Sequence, residues 1–571
     1  MASMIILISL FPFVISSLGY ATYTNHSISS TTTVISSKKQ EEKLPKSTNL
    51  IPEDDVGIFN DNSSVEKEFK FPFLPDDTYP SPGDVARHIG YLRLPHIIDA
   101  RMFYYFFQSR ASKDDPVVIW LTGGPGANSA IAIFNGNGPF RIERHNLNYD
   151  HLTWNDYGWD MVSNIIYVDN PIGTGLSYSS DNNDIRHNQI DISNDLYHFL
   201  QEFFKKYPDF INNDFFITGQ SYAGHYAPAL ASRIQKGNRL KEGVHINLKG
   251  FAVGNGLIDL KIQYPLLPYY AWSQGLITED RHNQLNKLNP PCESDIETCR
   301  DLVYGGENSF MDIFLAFVEV INSTGNDTAC LNAYESCNSI YNQTLESGDF
   351  DPKDIRESRE TTNDYSRLTS FMNELSTKKA LGVTGKKFVL LNMDVYDALK
   401  GDWAKNFEVD IAALLKEGIK ILIYAGDKDF TCNWFGNFKW LLNTEWYGKE
   451  EFLETVTFKV DEEDSGLMTS HGLITFIKVY NSGMDVPWDQ PKVVLDMIKR
   501  WMKEELKLMA TQLGSHVPWS GSANTHGEKK ITTINGCIFF GSRNLSLTVA
   551  SLRRARQEVA KGPQIHKASY C

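Results

Sequence analysis

The sequence lacks the excess of positive charge that binding to nucleic acid or to an anionic membrane surface requires. Its 571 residues carry 55 Lys and Arg against 70 Asp and Glu, a formal net charge of −15. A protein with this balance has no general basic face, so the sequence argues against both classes of partner. After the N-terminus the sequence also lacks any run of roughly 18 apolar residues, so no later membrane span is expected.

Cysteine is scarce, and the paired CxxC spacing of a zinc site is absent. Of the seven cysteines, most should pair in an oxidising compartment, and the odd number leaves at least one free or intermolecular. Cys292 and Cys299, like Cys330 and Cys337, are separated by about two helical turns, so each pair can share one helix face. If the two segments run antiparallel, the predicted bridges are nested, Cys292–Cys337 and Cys299–Cys330. Four unpaired thiols are the alternative.

The N-terminus is typical of a secreted protein. Within residues 1–21 an apolar run, Ile5 to Ile15, is followed by small residues, which predicts a signal peptide although no Lys or Arg precedes the run. A short membrane anchor is the alternative, but the run is too short to span a bilayer comfortably. Residues 22–84 predict a propeptide or a flexible lead-in. Sequons that predict N-glycans lie at Asn62, Asn322, Asn326, Asn342 and Asn544.

Short apolar runs alternate with amphipathic stretches along the middle of the chain. A continuous run such as Val117–Leu121 suits a strand buried on both faces. Apolar residues recur at helical spacing in Asp191–Lys206, and Pro208 closes that helix. This alternation predicts an α/β fold with a mostly parallel sheet flanked by helices. The predicted strands are Met102–Gln108, Val117–Leu121, Asn164–Asp169, Phe215–Thr218, Leu248–Val253 and Ile419–Tyr424.

Two regions interrupt this pattern. From about residue 257 to 379 the strand pattern disappears, and the four clustered cysteines and three sequons lie there, which predicts a cap inserted into the sheet domain. Residues 511–571 hold eight Lys or Arg against two Asp or Glu and predict a basic tail outside the main fold. Within the tail, Ile531–Leu547 favours short strands and Leu552–Lys561 a basic helix.

The strongest chemical signal is the segment Gly219–Gly224, which follows a predicted strand and precedes a helical stretch. A nucleophile elbow needs this context, because the small residues Gly219 and Ala223 let the chain turn sharply and expose Ser221. A short G-x-S-x-A match by itself would be a coincidence. Its position after a buried strand makes Ser221 a candidate nucleophile for acyl transfer.

Acyl transfer by a serine also needs hydrogen-bond donors for an oxyanion. The backbone N–H groups of Gly124 and Tyr222 are the candidates. Gly124 belongs to a glycine-rich turn at the carboxyl end of a predicted strand, where open α/β sheets build their sites. A tight turn without a chemical role is the alternative.

Several sequence blocks together resemble the signature motifs of the serine carboxypeptidases, and the similarity runs from about Gly90 to Leu508. The resemblance implies an α/β-hydrolase domain over residues 85–510, a helical cap and nested disulfides. It also implies a vacuolar or extracellular protein that needs no cofactor. The implied activity removes C-terminal residues from peptides and proteins at acid pH through a serine acyl-enzyme. The matching blocks are Trp120–Gly126, Gly219–Tyr226, Tyr424–Trp434 and Val486–Pro491, and Pro95–Arg110 resembles the opening of the plant vacuolar and secreted branch.

The resemblance assigns roles to individual residues. Ser221 matches the nucleophile, and Asp429 matches the acid that orients the base. Cys432 matches a free cysteine near the substrate pocket. Thr122 and Gly123 match residues that hold the substrate carboxylate.

Two departures affect recognition of that carboxylate. The family uses two glutamates that share a proton to bind it, and the matching positions here are Gly136 and Gln220. Gln220 still donates and accepts hydrogen bonds, whereas Gly136 offers only backbone groups.

The cysteine pair of a long-range family disulfide is also replaced, by Ala127 and Leu391.

The decisive departure lies two residues before the block Val486–Pro491, where Met484 stands at the position of the family's catalytic histidine. A thioether accepts no proton near neutral pH, so Met484 cannot act as a general base. His225 and His471 are the nearest alternatives, but both match non-catalytic positions of the family. Asp485 is a new carboxylate beside the missing base, and it does not reproduce the geometry of an imidazole.

Three hypotheses follow. The first is a serine carboxypeptidase of impaired activity, and the second is a catalytically inactive homologue that binds peptides or partners. The third is an acyltransferase of the same family, which would need the same missing base. The sequence leaves the oligomeric state and the physiological substrate open.

Overall fold

The computed structural model describes residues 65–68, 87–97, 99–145, 149–304, 323–359, 365–405, 408–452, 454–506, 530–534 and 537–541. All of them belong to one unit, Asp54–Cys571. The predicted signal peptide and most of the predicted lead-in lie outside the described residues. So do Asn62, Asn322, Asn544 and the predicted helix Leu552–Lys561, and of Asn326 only the backbone is described.

A mixed sheet that contains eleven of the described strands organises the unit. The strands in chain order are β1 (Val65–Glu68), β2 (Arg87–Arg93), β3 (Arg101–Phe107), β4 (Val117–Leu121), β5 (Phe140–His145), β6 (Tyr149–Trp154), β7 (Asn164–Val168), β8 (Phe215–Gln220), β9 (Leu248–Gly254), β10 (Lys420–Gly426), β11 (Thr455–Val460), β12 (Glu463–His471), β13 (Ile474–Val479), β14 (Lys530–Ile534) and β15 (Cys537–Gly541). The sheet order is β1-β2-β3-β7-β4-β8-β9-β10-β13-β12-β11. The six strands from β7 to β13 in that order are parallel, and antiparallel strands flank them on both sides.

Two hydrophobic cores lie on opposite faces of the sheet. In β4, Val117, Ile119 and Leu121 belong to one core, and Val118 and Trp120 belong to the other. Successive side chains of a strand point to opposite faces, so a continuous apolar run is what a strand covered on both faces requires. This burial explains why the central strands were readable from the sequence.

All six predicted strands are confirmed, with ends that differ by at most two residues. The sequence analysis missed β2, β11, β12 and β13 of the main sheet, the separate hairpin of β5 and β6, and β1, which lies inside the predicted lead-in. β12 begins with the exposed charged residues Glu463 and Asp464, which hide the apolar pattern of a strand. In the tail, β14 and β15 pair with each other, as expected within Ile531–Leu547.

Helices cover the sheet and build the region before β10. They are α1 (Ala130–Asn135), α2 (Gln189–Lys206), α3 (Ala223–Leu240), α4 (Leu260–Gln263), α5 (Leu267–Ser273), α6 (Glu279–Leu285), α7 (Asn289–Tyr304), α8 (Ser323–Glu346), α9 (Ser366–Asn373), α10 (Leu375–Leu381), α11 (Met393–Ala398), α12 (Glu408–Lys416), α13 (Trp434–Asn443), α14 (Val486–Asp489) and α15 (Pro491–Met502). Single 3-10 turns occur at Trp159–Met161, Asn182–Asp184, Pro208–Phe210, Tyr264–Leu266, Asn286–Leu288 and Lys400–Asp402. Among the described residues, no helix is both long and apolar enough to cross a membrane.

The described residues of the predicted cap, from 257 to 379, form helices and no strand. Within it, α7 and α8 are joined by two disulfides, Cys292–Cys337 and Cys299–Cys330. This is the nested pairing expected from the cysteine spacing on antiparallel helices. The sequon residue Asn342 lies exposed on α8.

Ala127 and Leu391 lie opposite each other in an isolated β-bridge. The backbone N–H of Asn128 donates to the Leu390 carbonyl, and the N–H of Asn392 donates to the Gly126 carbonyl, both at 3.0 Å. These two segments therefore meet without the disulfide that the family resemblance implies at this position.

Candidate active site

Ser221 lies at a sharp turn between β8 and α3. Its φ angle is 58°, in the left-handed region that side chains rarely adopt. Gly219 permits this turn, because a Cβ there would lie 2.5 Å from both the Ala223 Cβ and the Leu121 carbonyl oxygen. The Ser221 N–H donates to the Gly254 carbonyl at 3.0 Å, which holds the turn against the neighbouring strand. The local geometry is that of a nucleophile elbow.

The glycine-rich turn after β4 packs directly against this elbow. A Cβ on Gly123 would lie 2.6 Å from the Gln220 carbonyl oxygen and 2.7 Å from the Tyr222 nitrogen, so only glycine allows the approach. Gly124 has a φ of 111°, which also favours glycine. Gly124 and Tyr222 border the same cavity as Ser221. The structure therefore brings both residues to the cavity of the serine, and their oxyanion role stays a prediction.

A cavity of about 360 Å³ brings most of the predicted site together. Asp429 does not line it, since this carboxyl group is fully buried. The predicted residues that line the cavity are Thr122, Gly123, Gly124, Gly136, Gln220, Ser221, Tyr222, Cys432 and Met484.

Asp429 follows β10 and is held by three hydrogen bonds. Its carboxyl oxygens accept from Asn255 Nδ2 at 2.7 Å, from the Thr431 N–H at 2.9 Å and from the Cys432 N–H at 3.1 Å. Burial raises the pKa of Asp429 to about 8. The three hydrogen bonds act to lower this pKa, and the neighbouring Asp485 acts to raise it further. The carboxyl group is therefore protonated in mildly acidic solution.

Met484 occupies the cavity wall where the family resemblance places a histidine. It is only 7% exposed and packs in the same hydrophobic core as Tyr222 and Cys432. Its N–H donates to the Lys353 carbonyl at 2.7 Å, which fixes the turn that carries it. No histidine is among the described residues that line the cavity.

The two histidines considered as substitutes lie elsewhere. His225 is fully buried in α3, stacks on Tyr222 with ring centroids 4.5 Å apart and lies 3.6 Å from Asp402. Burial lowers the pKa of His225. His471 ends β12 in the antiparallel flank of the sheet. Neither lines the cavity that contains Ser221.

The free thiol of Cys432 lies beside the serine. Burial raises the pKa of this thiol well above its ordinary value, and a hydrogen bond with the Ser221 side chain acts in the opposite direction. A buried neutral thiol is a weak acceptor and does not deprotonate an alcohol. Cys432 is thus a neighbour of the nucleophile without being a base for it.

The residue that follows Met484 gives the cavity a hydrogen-bonded carboxylate. Asp485 accepts from Gln220 Nε2 at 2.7 Å and from the Tyr365 hydroxyl at 3.2 Å. Lys353 also lines the cavity, and its Nζ lies 5.1 Å from the centre of the Tyr365 ring. Gly136 lines the same cavity and contributes only backbone.

The profile of the serine carboxypeptidase family matches residues 77–504. The chain belongs to the serine carboxypeptidase family. It is 46% identical to "Serine carboxypeptidase-like 48" of Arabidopsis thaliana over 479 residues, which cover 81% of this chain and 89% of the relative. It is 45% identical to "Serine carboxypeptidase 3" of Hordeum vulgare over 487 residues, or 82% of this chain and 90% of the relative.

A solved structure of a carboxypeptidase supports the fold. The prohormone-processing carboxypeptidase Kex1 of Saccharomyces cerevisiae superposes with a TM-score of 0.62 at 22% identity, over 83% of this chain and 98% of the other. The mostly parallel sheet, flanked by helices and by antiparallel strands, is the α/β-hydrolase fold that was predicted.

Sequence reasoning missed three residues of this serine carboxypeptidase site. Asn255 follows β9 between two glycines and has a φ of 43°, and that Gly-Asn-Gly turn was a usable signal. Tyr365 and Lys353 come from the region between α8 and α9, where no motif marks them. Only the folded chain brings them to the cavity.

Proposed function

We propose that this protein is a serine carboxypeptidase homologue whose cleft binds peptide ends but whose acylation step is disabled. The observation that carries the proposal is the thioether of Met484 in the cavity wall at the position of the base. The retained elbow, the cavity and the glycine-rich turn support binding. The exposed sequon at Asn342 and the two disulfides are consistent with passage through the secretory pathway.

The chemistry fails at the first proton transfer. In a serine triad the base takes the hydroxyl proton during attack and later returns it to the leaving amine. Met484 has no site for that proton, and Asp429 is already protonated at acid pH because burial raises its pKa to about 8. Ser221 therefore stays a neutral alcohol, a poor nucleophile. Loss of the histidine in another serine protease lowers kcat by roughly 10⁶-fold.

Fluorophosphonate labelling tests this proposal, because the label reacts with an activated hydroxyl group and not with an ordinary neutral alcohol. We expect the full-length glycosylated protein to remain unlabelled and to hydrolyse N-blocked dipeptides negligibly. Met484→His combined with Asp485→Met, which restores the family residues, should recover labelling and part of the rate. Ser221→Ala in that background is the control and should abolish both.

Strong labelling of the unmodified protein that Ser221→Ala removes would overturn the proposal, because it would show that another group has become the base. Labelling that survives Ser221→Ala would instead identify a different reactive residue. Recovery by Met484→His alone would show that Asp485 does not limit catalysis.

A further inference from the structure

The cavity that Met484 lines also carries a charge of the wrong sign for a carboxypeptidase. The family resemblance implies that residues at positions 136 and 220 bind the carboxylate of a substrate. Here these positions hold Gly136 and Gln220, and the carboxylate of Asp485 lies 2.7 Å from the Gln220 amide nitrogen. The protein thus supplies an anion at the place where the ligand's anion was expected.

The hydrogen bonds of this part of the cavity are arranged around Asp485. Its Oδ1 accepts from Gln220 Nε2, and its Oδ2 accepts from the Tyr365 hydroxyl at 3.2 Å. The Gln220 amide therefore directs an N–H toward Asp485, and a ligand carboxylate would have to compete for it. An ionised carboxylate accepts hydrogen bonds and donates none, so Asp485 offers a ligand only acceptor groups.

The other charged residue that lines the cavity among the described residues is Lys353. Its Nζ lies over the face of Tyr365, 5.1 Å from the ring centre, in the geometry of a cation–π contact. Among the described residues that line the cavity, Lys353 is thus the cation that could pair with a ligand carboxylate. The experiment must therefore separate the effect of Lys353 on ligand affinity from the effect of Asp485.

We propose that the wall formed by Gln220, Asp485 and Tyr365 binds ligand ends that donate hydrogen bonds, such as a peptide carboxamide or a terminal ammonium, and disfavours a free carboxylate. This inference rests on the proposed function, because it concerns ligands that are held in the cleft and not turned over. A carboxamide offers two N–H donors to Asp485, whereas a carboxylate offers none and meets a like charge. Such a repulsive group is a common means of selecting one ligand over another.

Calorimetry with matched ligands tests the proposal. The full-length protein is titrated at pH 7 with one N-blocked dipeptide whose C-terminal group is a free acid, a carboxamide or a primary amine. We expect the carboxamide and the amine to bind at least tenfold more tightly than the acid. Asp485→Asn, which keeps the shape and removes the charge, should reduce that preference at least fivefold, and Asp485→Met should do the same.

Lys353→Met is the matched control, since it removes the other charged side chain of the cavity. We expect it to leave the order of the three affinities unchanged. Equal or tighter binding of the free acid by the unmodified protein would overturn the proposal. The proposal would also be overturned if both Asp485 variants kept the preference for the carboxamide and the amine over the acid, or if Lys353→Met reversed that preference. A failure of all three ligands to bind would overturn it as well.

These results are separable from those of the labelling experiment. Hydrolysis of the dipeptide is measured by the release of its C-terminal amino acid. Such hydrolysis would contradict the disabled acylation step and leave the order of affinities intact. Reversal of the order without hydrolysis would contradict only the assignment of the Asp485 wall.

Discussion

Asp429→Asn is expected to remove a large pH dependence from the stability of this protein. In the folded chain, burial raises the pKa of Asp429 to about 8 from an ordinary value of 3.8. Between these two values the folded state holds a proton that the unfolded state has lost. The stabilising contribution is therefore complete below about pH 4 and is lost progressively as the pH rises to about 8.

The magnitude follows from the size of the interval. Between pH 5 and pH 7 the group is protonated in the folded state and ionised in the unfolded state, so the free energy of unfolding falls by ~1.4 kcal/mol per pH unit. Over those two pH units the loss is ~3 kcal/mol. Asparagine at this position does not titrate, so the variant should lack this slope.

Urea unfolding of both proteins at pH 5, 6 and 7 measures the slope. The substitution also disturbs the three hydrogen bonds that Asp429 accepts, which costs ~1–3 kcal/mol at every pH. The difference in slope is therefore the decisive quantity. Asp114→Asn, at an exposed aspartate, is the control and should leave the slope unchanged. Parallel profiles for the unmodified protein and Asp429→Asn would refute a protonated Asp429 in the folded state.

Two further predictions concern the scaffold of the site. Gly219→Ala should lower the free energy of unfolding by ~1–3 kcal/mol, because the new methyl group would lie 2.5 Å from the Ala223 Cβ. Gly385→Ala is the control: its methyl group would meet nothing within 4 Å, so it should change the free energy of unfolding by less than ~0.5 kcal/mol. Equal effects in chemical denaturation would contradict the steric account of the elbow. Replacing both Cys299 and Cys330 by Ala should cost ~2–4 kcal/mol of stability, since that bridge closes a sequence separation of 31 residues. An unchanged melting temperature would show that the outer bridge alone holds the two helices together.

The sequence predicted the centre of the fold better than its edges, for a physical reason. β4 and its parallel neighbours are covered on both faces, so their residues form continuous apolar runs such as Val117–Leu121. β12 lies in the antiparallel flank and starts with exposed charges, so nothing in its local composition marks a strand. β1 forms through pairing with β2, a contact that its four residues do not encode by themselves.

The candidate site divides in the same way. The elbow was predictable because its steric demands are local: Gly219 and Ala223 flank Ser221 within the motif itself. The surroundings of Asp485 were not predictable, because Tyr365, which donates a hydrogen bond to it, lies 120 positions away in the chain. The sequence indicated the missing base at Met484, but only the folded structure indicates which groups surround the new carboxylate.

The residues that match the family and those that depart from it differ in their physical roles. Gly123 and Gly219 fill places where any Cβ would collide with backbone or with a neighbouring side chain, so losing them would damage the fold itself. Asp429 joins the ends of β9 and β10 through its hydrogen bond from Asn255, a structural task that needs no catalysis. Met484 is an apolar side chain that packs in the core, so the fold accommodates it at the position where the family resemblance places the base. The proposed loss of the base would thus fall at a position that the scaffold tolerates, and restoring the base through Met484→His with Asp485→Met should not require repair of the scaffold.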